Sequence, residues 1–178
     1  MQVYLAQVFG NVYSQVLSFD FDGFENSRGK ARSIFFKIVR ILFNGNINNT
    51  TIEGLGVDGK GRLKNTLSYN APNSWKCMSE DYLFFEPKNQ RALSAYNLIT
   101  GKFVEDSYIS YKDLVGELME APYGMNDHEA LYLMAVVYAN LSYCLRVSLN
   151  GVKITVGEWL DNVLPASGKG TIKIDFKK

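Results

Sequence analysis

Histidine, cysteine and proline are scarce: one His, two Cys and four Pro in 178 residues. With His128 as the lone imidazole, a zinc site of the usual cysteine–histidine kind needs carboxylates to complete it. Cys77 and Cys144 lie far apart with no CxxC spacing and read as two reduced thiols of a cytoplasmic protein. No run of about 18 apolar residues occurs, so no membrane-spanning segment is expected. The first 17 residues lack a basic start and are interrupted by Gln2, Gln7, Asn11 and Gln15, so they do not read as a secretory signal. Net charge is close to zero at +1, which disfavours indiscriminate binding to nucleic acid.

What the chain does have is an ordinary globular balance, 47% hydrophobic against 21% charged residues. Its 11 Tyr and 11 Phe argue against disorder and supply material for one sizeable core. Charge is unevenly spread. Residues 28–64 hold eight basic and two acidic side chains, whereas residues 79–129 hold ten acidic and four basic ones. The plain reading is two solvated faces or an internal electrostatic match; the functional one is a basic surface near a polyanion.

Val3 to Leu17 carries apolar residues at near-helical spacing and predicts an amphipathic helix. It starts at once from Met1, as a piece of a longer chain would. SFDFDGFENSRG then brings turn residues and two carboxylates, Asp20 and Asp22. A second helix is predicted over 29–43, with Ile34, Phe35, Ile38, Ile41 and Leu42 on one face. Arg28, Lys30, Arg32, Lys37 and Arg40 crowd its other side. Asn44–Asn49 ends it. A short helix is expected over 59–69, a turn at APNSW, and a brief extended piece over 82–85. Pro87 suits the first turn of a helix reaching Thr100, which Gly101 closes. Another helix covers 111–120.

The longest helix begins at an Asn126 or Asp127 cap with Glu129 in its first turn, and ALYLMAVVYANLSYC predicts burial on most sides. LRVSLNGVKIT alternates around Asn150-Gly151, the strongest hairpin signal in the chain. A short helix over 156–164 and a strand over 171–176 complete it. The expected fold is α+β and mainly helical, with a small antiparallel sheet near the C-terminus, winged-helix-like in its last part. It is read as one domain, with a helical part over 1–105 and a helix pair plus hairpin over 106–178.

Three motifs resemble catalytic ones and lack what the chemistry needs. GLGVDGKG satisfies both GxGxxG and GxxxxGK. Yet Gly61 stands where a phosphate loop needs Ser or Thr for Mg²⁺, and the preceding NINNTTIE is too polar for the required strand. It is read as a plain loop. His128-Glu129 lacks the second histidine of HExxH, since Tyr132 stands there, and reads as a surface residue in a capping turn. Asp20 and Asp22 lack a second carboxylate pair and read as turn formers. No GxSxG elbow or activated cysteine is visible, and Cys144 in its apolar helix reads as core. The chain therefore reads as non-catalytic, with no cofactor and no metal.

APYGMNDHEALYLMAVVYANL followed by LRVSLNGVKIT resembles the proline-tyrosine-glycine segment of large P-loop ATPases from BREX-type phage-defence systems, the BrxC-like proteins. In that family a turn leads into a long apolar helix and then a strand, a glycine turn and another strand. GKARSIFFKIVRIL resembles the family's Ala/Arg-rich helix, and TIEGLGVDGKGRLKNTLSY its glycine-containing loop and following helix. Pro122, Tyr123 and Gly124 match the motif most closely; Ala121 replaces its usual first proline, and FDFDGFENS stands where an Asn-Glu-Leu sequence is expected.

The resemblance implies an interaction or regulatory domain, non-catalytic itself. It would dock on the ATPase core of its own parent chain or on a partner subunit, and Pro122, Tyr123 and Gly124 would form a joint or docking point. The Walker motifs would lie N-terminal to this piece. The alternative is a nucleic-acid-binding, winged-helix-like module in which Arg32, Lys37 and Arg40 contact DNA phosphates. Against it, the turn between Glu120 and Asp127 is long for a helix-turn-helix, and Arg146 and Lys153 are the wing's only cations.

Overall fold

The longest apolar stretch of the sequence becomes the hub of the fold. In the computed structural model, which describes residues 12–21, 30–45, 47–103, 108–142, 145–149, 151–163 and 172–176, seven helices and four strands are resolved among the described residues. In chain order they are α1 (Lys30–Asn44), α2 (Asn49–Glu53), α3 (Gly56–Leu67), α4 (Gln90–Thr100), β1 (Tyr108–Ser110), α5 (Tyr111–Met119), α6 (Asp127–Leu141), β2 (Leu145–Leu149), β3 (Val152–Lys153), α7 (Val156–Val163) and β4 (Ile172–Phe176). All residues of α6 from Ala130 to Val137 are buried, and α1, α4 and α5 pack around it. A helix apolar on every side is stable only when enclosed in this way.

The start of α6 is fixed locally. The Asn126 side chain accepts from the backbone N–H groups of His128 and Glu129 at 2.9 and 3.0 Å, and the Glu129 carboxylate accepts from the Asn126 N–H at 2.9 Å. This capping box satisfies donors that the first turn would otherwise leave orphaned. The helix ends at Leu141, short of Cys144, which lies outside the described residues. On α1 the buried face is Ile34, Phe35, Ile38, Val39, Leu42 and Phe43, a stripe of helical period; Ile41, expected on it, is only half-buried.

The N-terminal segment departs from expectation. Residues 3–11 of the predicted helix lie outside the described residues; helix reaches Val12 and does not continue to Leu17. Leu17, Phe19 and Phe21 are buried while Ser18 and Asp20 are exposed, the alternation of extended chain. The cause is tertiary. The carbonyls of Val16, Ser18 and Asp20 accept from the side chains of Arg91 (3.3 Å), Trp75 (2.8 Å) and Arg62, so this backbone finds partners without a helix. Phe19 meets Phe21, Tyr132 and Phe35 at centroid distances of 5.1, 5.3 and 6.1 Å, within the range of favourable ring contacts.

GLGVDGKG, expected as a loop, is mostly helix: α3 begins at Gly56. Gly59 is buried, and a Cβ there would stand 2.8 Å from Leu55 Cβ at the start of the same helix, so the missing side chain leaves room for Leu55. Helix α4 starts at Gln90, not at Pro87. The Asn89 side chain caps it by accepting from the N–H groups of Arg91 and Ala92.

Beyond Phe103 the small sheet forms. It is antiparallel throughout, in the order β1-β4-β2-β3. The hairpin β2–β3 turns at Gly151, whose φ of +82° suits the expected tight turn. Strand β1 was not foreseen. Its three residues pair with β4, in the register Tyr108 with Asp175 to Ser110 with Lys173. The succession α4, β1, α5, α6, β2, β4 follows the order of a winged helix, with β3 and α7 inserted before the last strand. One core runs across residue 105, from Leu17 to Leu160.

Candidate functional site

Helix α5 stops at Met119, and the chain turns a corner before α6. The N–H groups of Tyr123 and Gly124 both donate to the Glu120 carbonyl at 3.0 Å, and that of Met125 donates to Leu118 at 2.9 Å. The Ala121–Pro122 peptide is cis. Each residue of the motif then holds a different element. The Pro122 carbonyl accepts from the Gln15 N–H at 2.9 Å. Tyr123 is half-buried, with its hydroxyl 3.2 Å from the Ser94 hydroxyl and 3.4 Å from the Ser94 carbonyl, on α4. Gly124 takes φ +61° beneath the ring of Tyr13. Pro122, Tyr123 and Gly124 thus come together as a joint that ties the N-terminal segment and α4 to the α5–α6 corner.

Arg32, Lys37 and Arg40 are all exposed on α1. Arg40 forms an ion pair with Asp161 of α7 at 2.7 Å. The Arg32 guanidinium lies over the Phe36 ring at 5.6 Å. Lys37 is exposed. Much of the remaining positive charge is matched internally: Lys30 pairs with Asp58 at 2.5 Å, Lys60 with Glu53 at 2.8 Å, and Arg62 donates to the Asp20 carbonyl while lying over Phe21. The Lys30 ammonium holds the Asp58 carboxyl below its ordinary value, first by hydrogen bonding and then by charge.

The other motifs resolve into packing. Lys60, the lysine of the GxxxxGK match, is engaged with both oxygens of Glu53 at 2.8 and 2.9 Å. His128, expected on the surface, is half-buried, its ring 5.6 Å from Phe35 and 6.4 Å from Phe36. Asp20 lies in a turn, as expected, and Asp22 is outside the described residues. Cys77 is fully buried, and desolvation pushes its thiol up, which makes it a poor nucleophile. Among the described residues, no group of three His, Cys, Asp or Glu side chains is placed to hold a metal ion. No described helix is long and apolar enough to cross a membrane.

Two surface features were missed by sequence reasoning. The first is the excursion over 68–89. It is laced by backbone hydrogen bonds: Tyr69 to Met78 (2.9 Å), Cys77 and Met78 to Leu67 (both 3.0 Å), Ser79 to Leu83 (2.9 Å) and Phe85 to Cys77 (3.0 Å). Lys76 and Tyr82 hold φ of +55° and +59°, a left-handed conformation that costs non-glycine residues energy unless the surroundings impose it. This hydrogen-bonded loop leaves Tyr69 53% and Leu83 68% exposed, among the exposed carboxylates Glu80, Asp81 and Glu86. No local pattern announces it, because the display depends on which neighbours pack beneath.

The second is a groove of about 380 Å³ beside the hairpin, lined by Tyr138, β2, residues 153–156 and Glu158. Comparison with protein-family models, with curated proteins and with solved structures finds no match to this chain.

Proposed function

We propose that this chain is a non-catalytic interaction or regulatory domain of a larger P-loop ATPase acting in phage defence. In this reading it works in the cytoplasm, docked on the ATPase core of its own parent chain or on a partner subunit, and ATP hydrolysis belongs to Walker motifs elsewhere in the parent. The observation that carries the docking reading is the 68–89 loop. The loop presents Tyr69 and Leu83 to solvent together, and tyrosine is among the residues that dominate interface energetics. The ATPase context is supported by the resemblance of the Pro122–Gly124 segment and the helix after it.

The test is association in trans with the purified ATPase core of the parent protein, read by calorimetry together with its ATPase rate. Saturable binding is expected, weakened at least about tenfold by Leu83→Asp, as a hot-spot contact requires. Absence of association, or equal binding by the variant, overturns the docking reading.

A second reading, a nucleic-acid-binding module, is favoured by the winged-helix order of elements. Two observations weigh against it. The helix in the recognition position, α6, has no exposed side chain after Asp127 up to Leu141, and Arg40 is spent on Asp161. If the module nevertheless binds duplex DNA, affinity falls with salt by about 0.9 in the log–log slope per phosphate contacted by Arg32, Lys37 or Arg40.

A further inference from the structure

We draw no further inference here: the strongest candidate, the surface patch of Tyr69, Leu83 and Phe85 on the 68–89 loop, belongs to the docking reading already given, and since Glu80, Asp81 and Glu86 share that loop with Lys76 and Lys88, with Lys64 over the Tyr82 ring, nothing in the structure shows what covers it.

Discussion

The ring of Tyr13 occupies the space that a side chain at Gly124 would need. A Cβ on Gly124 would stand 2.5 Å from Tyr13 Cδ1, and the glycine's φ of +61° is itself unfavourable for other residues. Two costs therefore meet at one position. Gly124→Ala should lower stability by about 2–3 kcal/mol in denaturant melts, in the range of strained-backbone penalties combined with a steric clash. Adding Tyr13→Ala should remove the clash but not the backbone cost, so the double variant should be less destabilised than the two single changes added together. Simple additivity would show that the ring and the glycine do not interact.

Tyr123 contributes through both its ring and its hydroxyl. Tyr123→Phe removes only the contacts to Ser94 and should cost about 0.5–1.5 kcal/mol, the usual net value of a hydrogen bond. Tyr123→Ala also removes ring packing and should cost about 3 kcal/mol. A melting midpoint unmoved by Tyr123→Ala, with weakened association to the ATPase core, would instead make this residue a docking contact.

The capping box of α6 should be reciprocal. Asn126→Ala is expected to cost about 1 kcal/mol, as loss of an N-cap does, and Glu129→Ala less. Because the two side chains satisfy each other's backbone, their double-mutant cycle should show coupling. Independent effects would mean that the geometry of the cap does not persist in solution.

Lys60 should be dispensable for nucleotide chemistry. The chain is expected to give no calorimetric response to micromolar ATP with Mg²⁺, and Lys60→Ala should change stability by no more than about 1 kcal/mol, the scale of a surface ion pair. ATP binding that disappears in Lys60→Ala would reverse this.

At Gly151, φ of +82° makes Gly151→Val costly by about 1–3 kcal/mol, although a Cβ there would meet nothing within 4 Å. The penalty is conformational, so Gly151→Asn should be milder, since asparagine tolerates the left-handed region better. Equal losses in the two variants, measured by chemical denaturation, would place the cost elsewhere.

Signals written within a few residues of one another were legible in the sequence. The apolar stripe of α1, the Asn126–Glu129 cap, the apolar run of α6 and the turn at Gly151 are patterns of short sequence separation, and the structure holds them, except that Ile41 is only half-buried and α6 ends at Leu141. Pro122, Tyr123 and Gly124 were readable as a joint for the same reason: a helix stop, an aromatic ring and a turn residue stand side by side. What they join was not readable, because Gln15, Ser94 and Tyr13 lie far along the chain.

Distance along the chain explains the departures too. Residues 13–17 fall in the predicted helix, yet they turn and then run without helix through Phe19, because Arg91, Trp75 and Arg62 bind the carbonyls of Val16, Ser18 and Asp20 from other elements. The glycines of α3 suggest a loop, yet the segment is helix, with Gly59 buried beside Leu55. Arg40 reads as a free cation until α7 brings Asp161 to it across 121 positions. Residue type and spacing determined which segments could form helices or a hairpin, since those hydrogen bonds close locally. Which charges found partners and which apolar side chains were left outside depended on packing between distant segments, and only the tertiary structure decided them.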